Sequence, residues 1–155
     1  MARSTPPDFL GLDQQLCFAL YSASLAMTKL YQPLLEPMGL TYPQYLVLLV
    51  LWERDGLTMA QIGERLTLDS GTLSPLVKRL ETAHLLRRTR DADDERRVIV
   101  TLTANGRALQ RKAASIPNDV MCATACKLAE LDALTTKLKS LRSNVLAFRA
   151  SILAG

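Results

Sequence analysis

The sequence predicts a mainly α-helical protein with one small β-hairpin, and three observations support this fold class. Apolar residues recur at helical spacing along most of the 155-residue chain. Two short segments, 85–89 and 98–102, are typical of strands, and the second is rich in β-branched residues. The charged stretch 90–97 lies between them and is expected to form the tip of a hairpin. A hydrophobic content of 48% favours a folded chain over a disordered one.

The first two helices are predicted from apolar spacing and from the residues that interrupt it. We expect Asp13 to cap a helix that runs to about residue 35, with Pro33 near its end. Pro37 and Gly39 mark a break. A second helix is expected over 41–53.

Two further helices are joined by a short turn. Thr58 is followed three residues later by Gln61, the spacing of a capping box, which predicts a helix over 59–66. After a turn at 67–69, a helix over 70–82 has one apolar face and one polar, basic face. Short turns also occur in helical bundles, but the charged hairpin that follows favours a winged helix-turn-helix. In that arrangement the second helix enters the major groove of DNA and the hairpin tip reaches the minor groove.

The charge distribution agrees with a nucleic-acid partner. The formal net charge is +4, yet residues 1–57 carry three basic and five acidic residues. Residues 78–90 carry five basic residues and one acidic residue. Such a cluster attracts phosphate backbones, although a solvated helix face gives the same pattern.

The C-terminal third is predicted to be helical. Thr103 should cap a helix to about residue 115, Pro117 interrupts it, and 118–127 is again helical. The last helix, 128–153, has a sustained heptad seam that needs a partner helix. That partner is either intramolecular or, as we favour, a second copy of the chain. The seam consists of Leu131, Leu134, Leu138, Leu141, Val145, Phe148 and Ile152.

Several classes of protein are not expected. The longest apolar run, 45–52, is too short to span a bilayer, and the N-terminus, where 1–10 should form a loose tail, lacks the features of a secretory signal. We therefore expect a cytoplasmic protein with reduced thiols. Three cysteines with one histidine do not form a zinc pattern, and no glycine-rich phosphate loop is present, so no metal or cofactor is expected. No catalytic triad is evident; His84 is interpreted as a packing or capping residue and Trp52 as core.

Cys17 is the candidate reactive thiol. Near the start of its helix, free backbone N–H groups and the helix dipole favour the thiolate, which attacks peroxides. The alternative is a small buried apolar residue. Tyr21 shares its helical face. Tyr31 returns to nearly that face but lies about 21 Å along the helix, so it can serve the same pocket only if two chains cross antiparallel. Tyr42 is a second candidate hydroxyl donor.

Four segments resemble the MarR family of bacterial winged-helix repressors, and more narrowly its organic hydroperoxide resistance regulator branch. They are LCFALYS at 16–22, LTYPQY at 40–45, LDSGTLSPL at 68–76 and DDER at 93–96. The DDER segment is general to the wider family, whereas the first and third together indicate the peroxide-sensing branch. The resemblance extends over nearly the whole chain and implies one domain over 1–155. Within it, 13–36 and 103–153 would be dimerisation helices and 41–102 the winged helix-turn-helix DNA-binding region.

By this resemblance, the chain is a homodimeric repressor that binds operator DNA when reduced. Cys17 is the sensor of organic hydroperoxide, Tyr31 and Tyr42 reach it from the other subunit, and Tyr21 belongs to the same pocket. Cys122 matches the resolving position of two-cysteine members, and Cys126 is an additional candidate. The implied DNA contacts are Ser70, Gly71, Thr72, Ser74, Pro75, Lys78 and Arg96, with Asp94 supporting Arg96; the charge pattern adds Arg87, Arg88 and Arg90.

Two other functions remain open on the sequence. A repressor of the same fold that binds a phenolic or other small ligand reversibly would not need Cys17. A thiol peroxidase would use Cys17 catalytically and would not bind DNA. No membrane partner is expected.

Overall fold

The computed structural model describes residues 10–154, and it confirms a mainly helical fold with a small antiparallel sheet. Contacts divide the chain into a unit that ends at Ala114 and a unit that begins at Ser115. The predicted N-terminal tail lies, apart from Leu10, outside the described residues. In chain order the elements are α1 (Leu16–Leu35), α2 (Tyr42–Glu53), β1 (Leu57–Thr58), α3 (Met59–Leu66), α4 (Ser70–Thr82), β2 (Leu86–Arg90), β3 (Val98–Leu102), α5 (Ala104–Lys112), α6 (Ile116–Thr124) and α7 (Leu128–Leu153).

The start of the first helix differs from the prediction. Asp13 lies in a short 3-10 turn, Leu12–Gln14, and α1 begins only at Leu16. The prediction that Asp13 caps α1 is therefore wrong. Because the helix starts later than expected, Cys17 is its second residue rather than its fourth.

The predicted caps of the helix-turn-helix region are confirmed. The Thr58 hydroxyl accepts the Gln61 backbone N–H at 3.2 Å, and the Gln61 side chain accepts the Thr58 N–H at 2.9 Å. Thr103 accepts the Gly106 N–H at 3.1 Å at the start of α5. The sequence analysis did not identify the cap of α4, where Asp69 accepts the Thr72 N–H at 2.8 Å. These bonds satisfy backbone donors that a helix leaves free at its first turn.

The sheet has a strand that the sequence analysis missed. Strand β1 pairs antiparallel with β3, which also pairs with β2, so the order is β1-β3-β2. The strand predicted from residue 85 begins one residue later. The Leu85 N–H donates to the Leu80 carbonyl and the Leu85 carbonyl accepts the Thr103 N–H, so Leu85 belongs to the turn after α4.

The core of the first unit lies where α2, α3 and α4 meet the sheet. Its fully buried side chains include Leu48, Ile62 and Val100. Trp52 is half-buried rather than fully buried, and its indole N–H donates to the Gly106 carbonyl at 2.9 Å. A Cβ added at Gly106 would lie 2.0 Å from the Leu85 carbonyl oxygen, so α5 crosses the end of the α4 turn at a point that only glycine permits.

The second unit contains α6 and α7. Pro117 lies in the first turn of α6, where its missing N–H costs no helical hydrogen bond. Helix α6 ends at Thr124 because Ala125 adopts a left-handed conformation, with φ 54°. The prediction that 118–127 is helical is therefore wrong for its last three residues, and Cys126 lies beyond the helix that carries Cys122.

Helix α7 has no buried residue. Within its apolar seam, Val145, Phe148 and Ile152 have exposed fractions of 57%, 68% and 62%. A helix of 26 residues with an apolar seam gains little from burial unless another helix covers that seam.

Among the described residues, no single helix has the length and hydropathy to cross a bilayer. The bent pair Leu16–Met38 and Tyr42–Glu53, with 70° between its helices, reaches that criterion only when both are counted together.

Candidate nucleic-acid interface and thiol site

The outer face of α4 has the chemistry expected of a DNA-recognition helix. Leu73, Val77 and Leu80 are buried on its inner face. The residues named from the sequence are all exposed; they are Ser70, Gly71, Thr72, Ser74, Pro75 and Lys78. Short hydroxyl side chains and one lysine suit contacts with base edges and phosphates.

The first turn of α4 is fixed by its cap. Asp69 accepts both the Thr72 N–H at 2.8 Å and the Thr72 hydroxyl at 3.2 Å. The bond from the Thr72 N–H is the largest of the contacts that lower the pKa of the Asp69 carboxyl below its ordinary value. Asp69 thus remains an ionised cap at neutral pH. Since the cap occupies the Thr72 hydroxyl proton, Thr72 can offer DNA only its oxygen lone pairs and its methyl group.

The hairpin tip presents Arg96 as the sequence predicted. The carboxylate of Asp94 accepts the Arg96 N–H and Nε–H, each at 3.1 Å, and Nη2–H at 3.4 Å. The Arg96 side chain is nevertheless 91% exposed. These hydrogen bonds from Arg96 lower the pKa of Asp94. The pair holds a solvent-facing guanidinium at a set position, which suits insertion into a narrow minor groove.

Arg88 differs in its surroundings from its neighbours. Glu81 of α4 accepts the Arg88 backbone N–H and Nε–H, each at 2.9 Å, and Nη2 lies 2.8 Å from the same carboxylate. The bond from the Arg88 N–H is the largest of the contacts that lower the pKa of Glu81. Arg87 and Arg90 are exposed. Arg88 therefore braces β2 against α4, whereas the Arg90 side chain is exposed.

The recognition helix and the hairpin border one cleft. A cavity of about 350 Å³ is lined by Ser70 at the start of α4, by Arg96 and Arg97 of the hairpin, and by the α3 residues Ala60 and Gly63. The two elements expected to touch DNA thus meet at one place in the first unit.

Cys17 is exposed, contrary to the alternative that it is a buried apolar residue. It is the second residue of α1, where backbone N–H groups have no helical partner. The side chains around it in sequence are also exposed, with Leu16 at 59%, Phe18 at 39% and Tyr21 at 63%. The start of α1 therefore presents a thiol on an apolar surface.

Tyr31 and Tyr42 come together at the other end of α1. Their ring centroids are 4.5 Å apart, and Tyr45 lies 5.8 Å from Tyr31. Burial, followed by the proximity of Tyr42 and Tyr45, raises the pKa of Tyr31 to about 12. Burial also raises the pKa of Tyr42. Both phenols are hydrogen-bond donors at any physiological pH.

Cys122 and Cys126 are exposed free thiols of the second unit. The Cys126 S–H donates to the Thr124 carbonyl at 3.3 Å. Across the described part of the chain, no three His, Cys, Asp or Glu side chains come close enough to hold a metal ion.

A capped recognition helix, a three-stranded sheet and an arginine-tipped hairpin define a winged-helix DNA-binding protein. The model of the family described as transcriptional regulator SarA/Rot matches residues 29–113. The chain belongs to this family of MarR-like winged-helix transcriptional regulators. It is a DNA-binding regulator and not an enzyme.

Two curated relatives are similar over most of the chain. HTH-type transcriptional regulator TtmR of Methylorubrum extorquens is 49% identical over 145 residues, which is 94% of this chain and 74% of TtmR. The organic hydroperoxide resistance transcriptional regulator of Bacillus subtilis is 50% identical over 114 residues, which is 74% of this chain and 78% of the relative.

The solved structures include a similar protein in several oxidation states. Reduced AbfR bound to DNA is 35% identical, with a TM-score of 0.74 over 87% of this chain and 94% of AbfR. Overoxidised AbfR, also bound to DNA, is 36% identical, with a TM-score of 0.72 over 86% and 94%. Disulfide-formed AbfR is 38% identical, with a TM-score of 0.58 over 84% and 91%. AbfR comes from Staphylococcus epidermidis.

Proposed function

We propose that the chain is a redox-sensing repressor that acts in the cytoplasm as a homodimer. The reduced dimer binds a pseudo-palindromic operator. An organic hydroperoxide transfers one oxygen to the Cys17 thiolate, which leaves a sulfenic acid and an alcohol. Cys122 of the partner subunit then attacks the sulfenic sulfur, and a disulfide and water form.

The observation that carries this proposal is the position of Cys17. It is an exposed thiol in the first turn of a 20-residue helix, on a surface with exposed Leu16 and Phe18. Negative charge is stabilised at the N-terminus of a helix, and the thiolate is the form of a cysteine that attacks peroxides. The apolar neighbours favour an alkyl peroxide over a more polar one.

The tyrosines support a site shared between two subunits. Tyr31 lies about 21 Å along α1 from Cys17, because 14 residues at the helical rise separate them. Tyr31 and Tyr42 pack together, so they act as one pair of phenol donors. In an antiparallel dimer that pair would meet the partner's Cys17, with Tyr21 on the same face as the thiol. Phenol donors hydrogen-bonded to the sulfur stabilise its thiolate.

The exposed seam of α7 supports the dimer itself. In this account 13–36 and 103–153 supply the dimerisation helices and 41–102 is the DNA-binding region. Two copies of α4 then enter successive major grooves about one helical turn apart. The residues proposed to contact DNA are Ser70, Gly71, Thr72, Ser74, Pro75, Lys78, Arg90 and Arg96, with Asp94 and Arg88 acting through their neighbours.

The relatives support the effector and the step that releases DNA. One relative is named as an organic hydroperoxide resistance regulator. AbfR is bound to DNA in its reduced and its overoxidised forms, which favours disulfide formation over oxidation of a single sulfur as the releasing step. To move an operator from 99% occupied to 99% free, the disulfide must weaken binding by about 5.5 kcal/mol.

A gel shift tests the proposal. The probe is the DNA upstream of the protein's own coding sequence, and the reduced protein is compared with protein treated with cumene hydroperoxide and then with dithiothreitol. We expect the peroxide to abolish the shifted band and dithiothreitol to restore it. A band that persists in peroxide would contradict the proposal; a scrambled probe controls for nonspecific binding.

A second candidate function rests on a cavity next to Tyr42. This cavity, of about 270 Å³, is lined by Thr28, Lys29, Gln32 and Tyr42 among others, and could hold a phenolic or other small ligand beside a cation. A regulator released by such a ligand would respond identically in wild type and Cys17→Ser. Calorimetry measures binding of a phenolic carboxylate to wild type and to Cys17→Ser. Operator binding by the two proteins, with and without that ligand, then distinguishes the two functions. The thiol peroxidase alternative is not retained, because the family and the relatives are transcriptional regulators.

A further inference from the structure

Cys126 is a thiol that the proposed function does not use. A disulfide between residues four apart in a regular helix is strained. Such strain would prevent Cys126 from pairing with Cys122 if both lay in one helix. In the structure, Cys126 does not lie within the regular helix. Helix α6 ends at Thr124, and Ala125 has φ 54°, so Cys126 is not held at the next helical position.

Hydrogen bonds hold Cys126 against the turn that carries Cys122. The Ala125 N–H donates to the Cys122 carbonyl at 3.2 Å. The Thr124 hydroxyl donates to the Met121 carbonyl at 2.7 Å and lies 3.4 Å from the Cys126 backbone nitrogen. The Cys126 sulfur in turn lies 3.3 Å from the Thr124 carbonyl oxygen. Both thiols are exposed and free on one five-residue segment.

We propose that this segment is a second redox site, an intrachain Cys122–Cys126 disulfide that resolves the bond between subunits. The inference rests on the proposed function, which supplies the Cys17–Cys122 disulfide. The Cys126 thiolate attacks the Cys122 sulfur, a Cys122–Cys126 bond forms, the Cys17–Cys122 bond breaks, and Cys17 leaves as a thiolate. No external oxidant or reductant is consumed, because one disulfide replaces another.

The direction of the exchange follows from the two possible leaving groups. Exchange is faster when the departing thiolate is more stable. Cys17 departs at the N-terminus of α1, the end of a helix at which the helix dipole stabilises negative charge. The closing loop has only five residues, so its ends meet at low entropic cost. The second unit would then contain the disulfide, and Cys17 would be free to react with another peroxide.

The test is a time course after one equivalent of cumene hydroperoxide, without reductant, in wild type and Cys126→Ser. Non-reducing gels measure the covalent dimer. Trypsin cuts after Lys112 and Lys127, so Cys122 and Cys126 share the peptide 113–127, and mass spectrometry detects their disulfide directly. A covalent dimer that forms in both proteins but decays at least about tenfold faster in wild type, with the closed peptide and free Cys17 appearing together, supports the inference. Equal decay in the two proteins, or no closed peptide, overturns it.

Cys17→Ser separates this inference from the proposed function. Treatment of that variant with diamide should close the 113–127 peptide disulfide, because the pair needs no sensor cysteine to form. If diamide leaves the peptide open, the second redox site is overturned even where wild type forms its covalent dimer. If the peptide closes but wild type never forms a covalent dimer, the proposed Cys17–Cys122 step is wrong. The exchange is then overturned as well, although Cys122 and Cys126 still form a disulfide.

Discussion

The winged region, from α2 to β3, buries its large apolar side chains, whereas α7 leaves its apolar side chains exposed. From α2 to β3 the chain buries large side chains such as Leu48, Leu51 and Ile62 within itself. Helix α7 is longer than any of these elements, yet none of its residues is buried, and Phe148 is 68% exposed.

This difference indicates where the molecule is complete and where it needs a partner. The winged region has a core, capped helices and a braced hairpin, so its shape is fixed by one chain. Helix α7 gains stability only if its seam is covered. In the proposed dimer, DNA recognition lies in the winged region, and the spacing of the two recognition helices depends on the α7 seam.

Val145→Asp should have the largest effect. A carboxylate in the middle of the seam opposes burial against a second copy, so we expect a monomer and a loss of operator affinity of about a hundredfold or more. Analytical ultracentrifugation and fluorescence anisotropy measure the two effects. Ser143→Asp, two residues away and off the seam, is the matched control and should remain dimeric. Equal behaviour of the two variants would mean that the seam does not hold the dimer.

Gly106→Ala should destabilise the winged region. The new methyl group would meet the Leu85 carbonyl at 2.0 Å, a contact that requires the backbone of α5 or of the α4 turn to move. We expect a loss of about 3 kcal/mol in the free energy of unfolding. Trp52, the only tryptophan, donates to Gly106 and reports this unfolding by fluorescence. Asn105→Ala, at an exposed neighbouring position, controls for the substitution; a Gly106→Ala protein as stable as that control would contradict the close approach.

Substitutions of Arg88 and Arg90 should affect operator binding in different ways. If Arg90 contacts phosphate, Arg90→Ala should reduce the salt dependence of operator binding by about one unit of slope. Arg88→Ala should weaken binding by about tenfold with little change in slope, because Arg88 acts through Glu81. Anisotropy titrations over a range of salt give both quantities. Glu81→Gln should also weaken binding; a gain in affinity would show instead that the freed Arg88 side chain binds DNA.

Tyr31→Phe should have the smallest effect on the free energy of unfolding, and this effect should be confined to alkaline pH. Because burial raises the pKa of Tyr31 from 10.0 to about 12, the folded state resists ionisation of this phenol more than the unfolded state does. The resulting stability is fully present below pH 10 and is lost as pH rises towards 12. After allowance for partial exposure we expect this loss to be no more than about 2 kcal/mol. Urea unfolding at pH 7 and pH 11 measures it; an equally steep loss in Tyr31→Phe would contradict the assignment to Tyr31.

Sequence predicted those elements whose signals are local. The structure confirms the capping box of Thr58 with Gln61 and the cap at Thr103. The pairing of Asp94 with Arg96 spans only two residues and was also foreseen. By contrast, β1 has only two residues and exists because β3 offers it hydrogen-bond partners. No local pattern could have revealed it.

The errors have equally specific causes. Ala125 ends α6 in a left-handed conformation that sequence usually signals with glycine, so the position of Cys126 was missed. Asp13 has the side chain of a cap but sits in a 3-10 turn before the helix. The Glu81–Arg88 contact joins a helix to a strand across a turn, and only the folded geometry brings the two side chains together.

The most direct test compares operator binding by wild type and Cys17→Ser, with and without one equivalent of cumene hydroperoxide, while the covalent dimer of wild type still persists. Fluorescence anisotropy on one labelled operator gives four dissociation constants. We expect the two reduced proteins to bind alike, peroxide to weaken operator binding by wild type by about ten-thousandfold, and Cys17→Ser to be unaffected. A Cys17→Ser protein that releases DNA as readily as wild type would contradict the account.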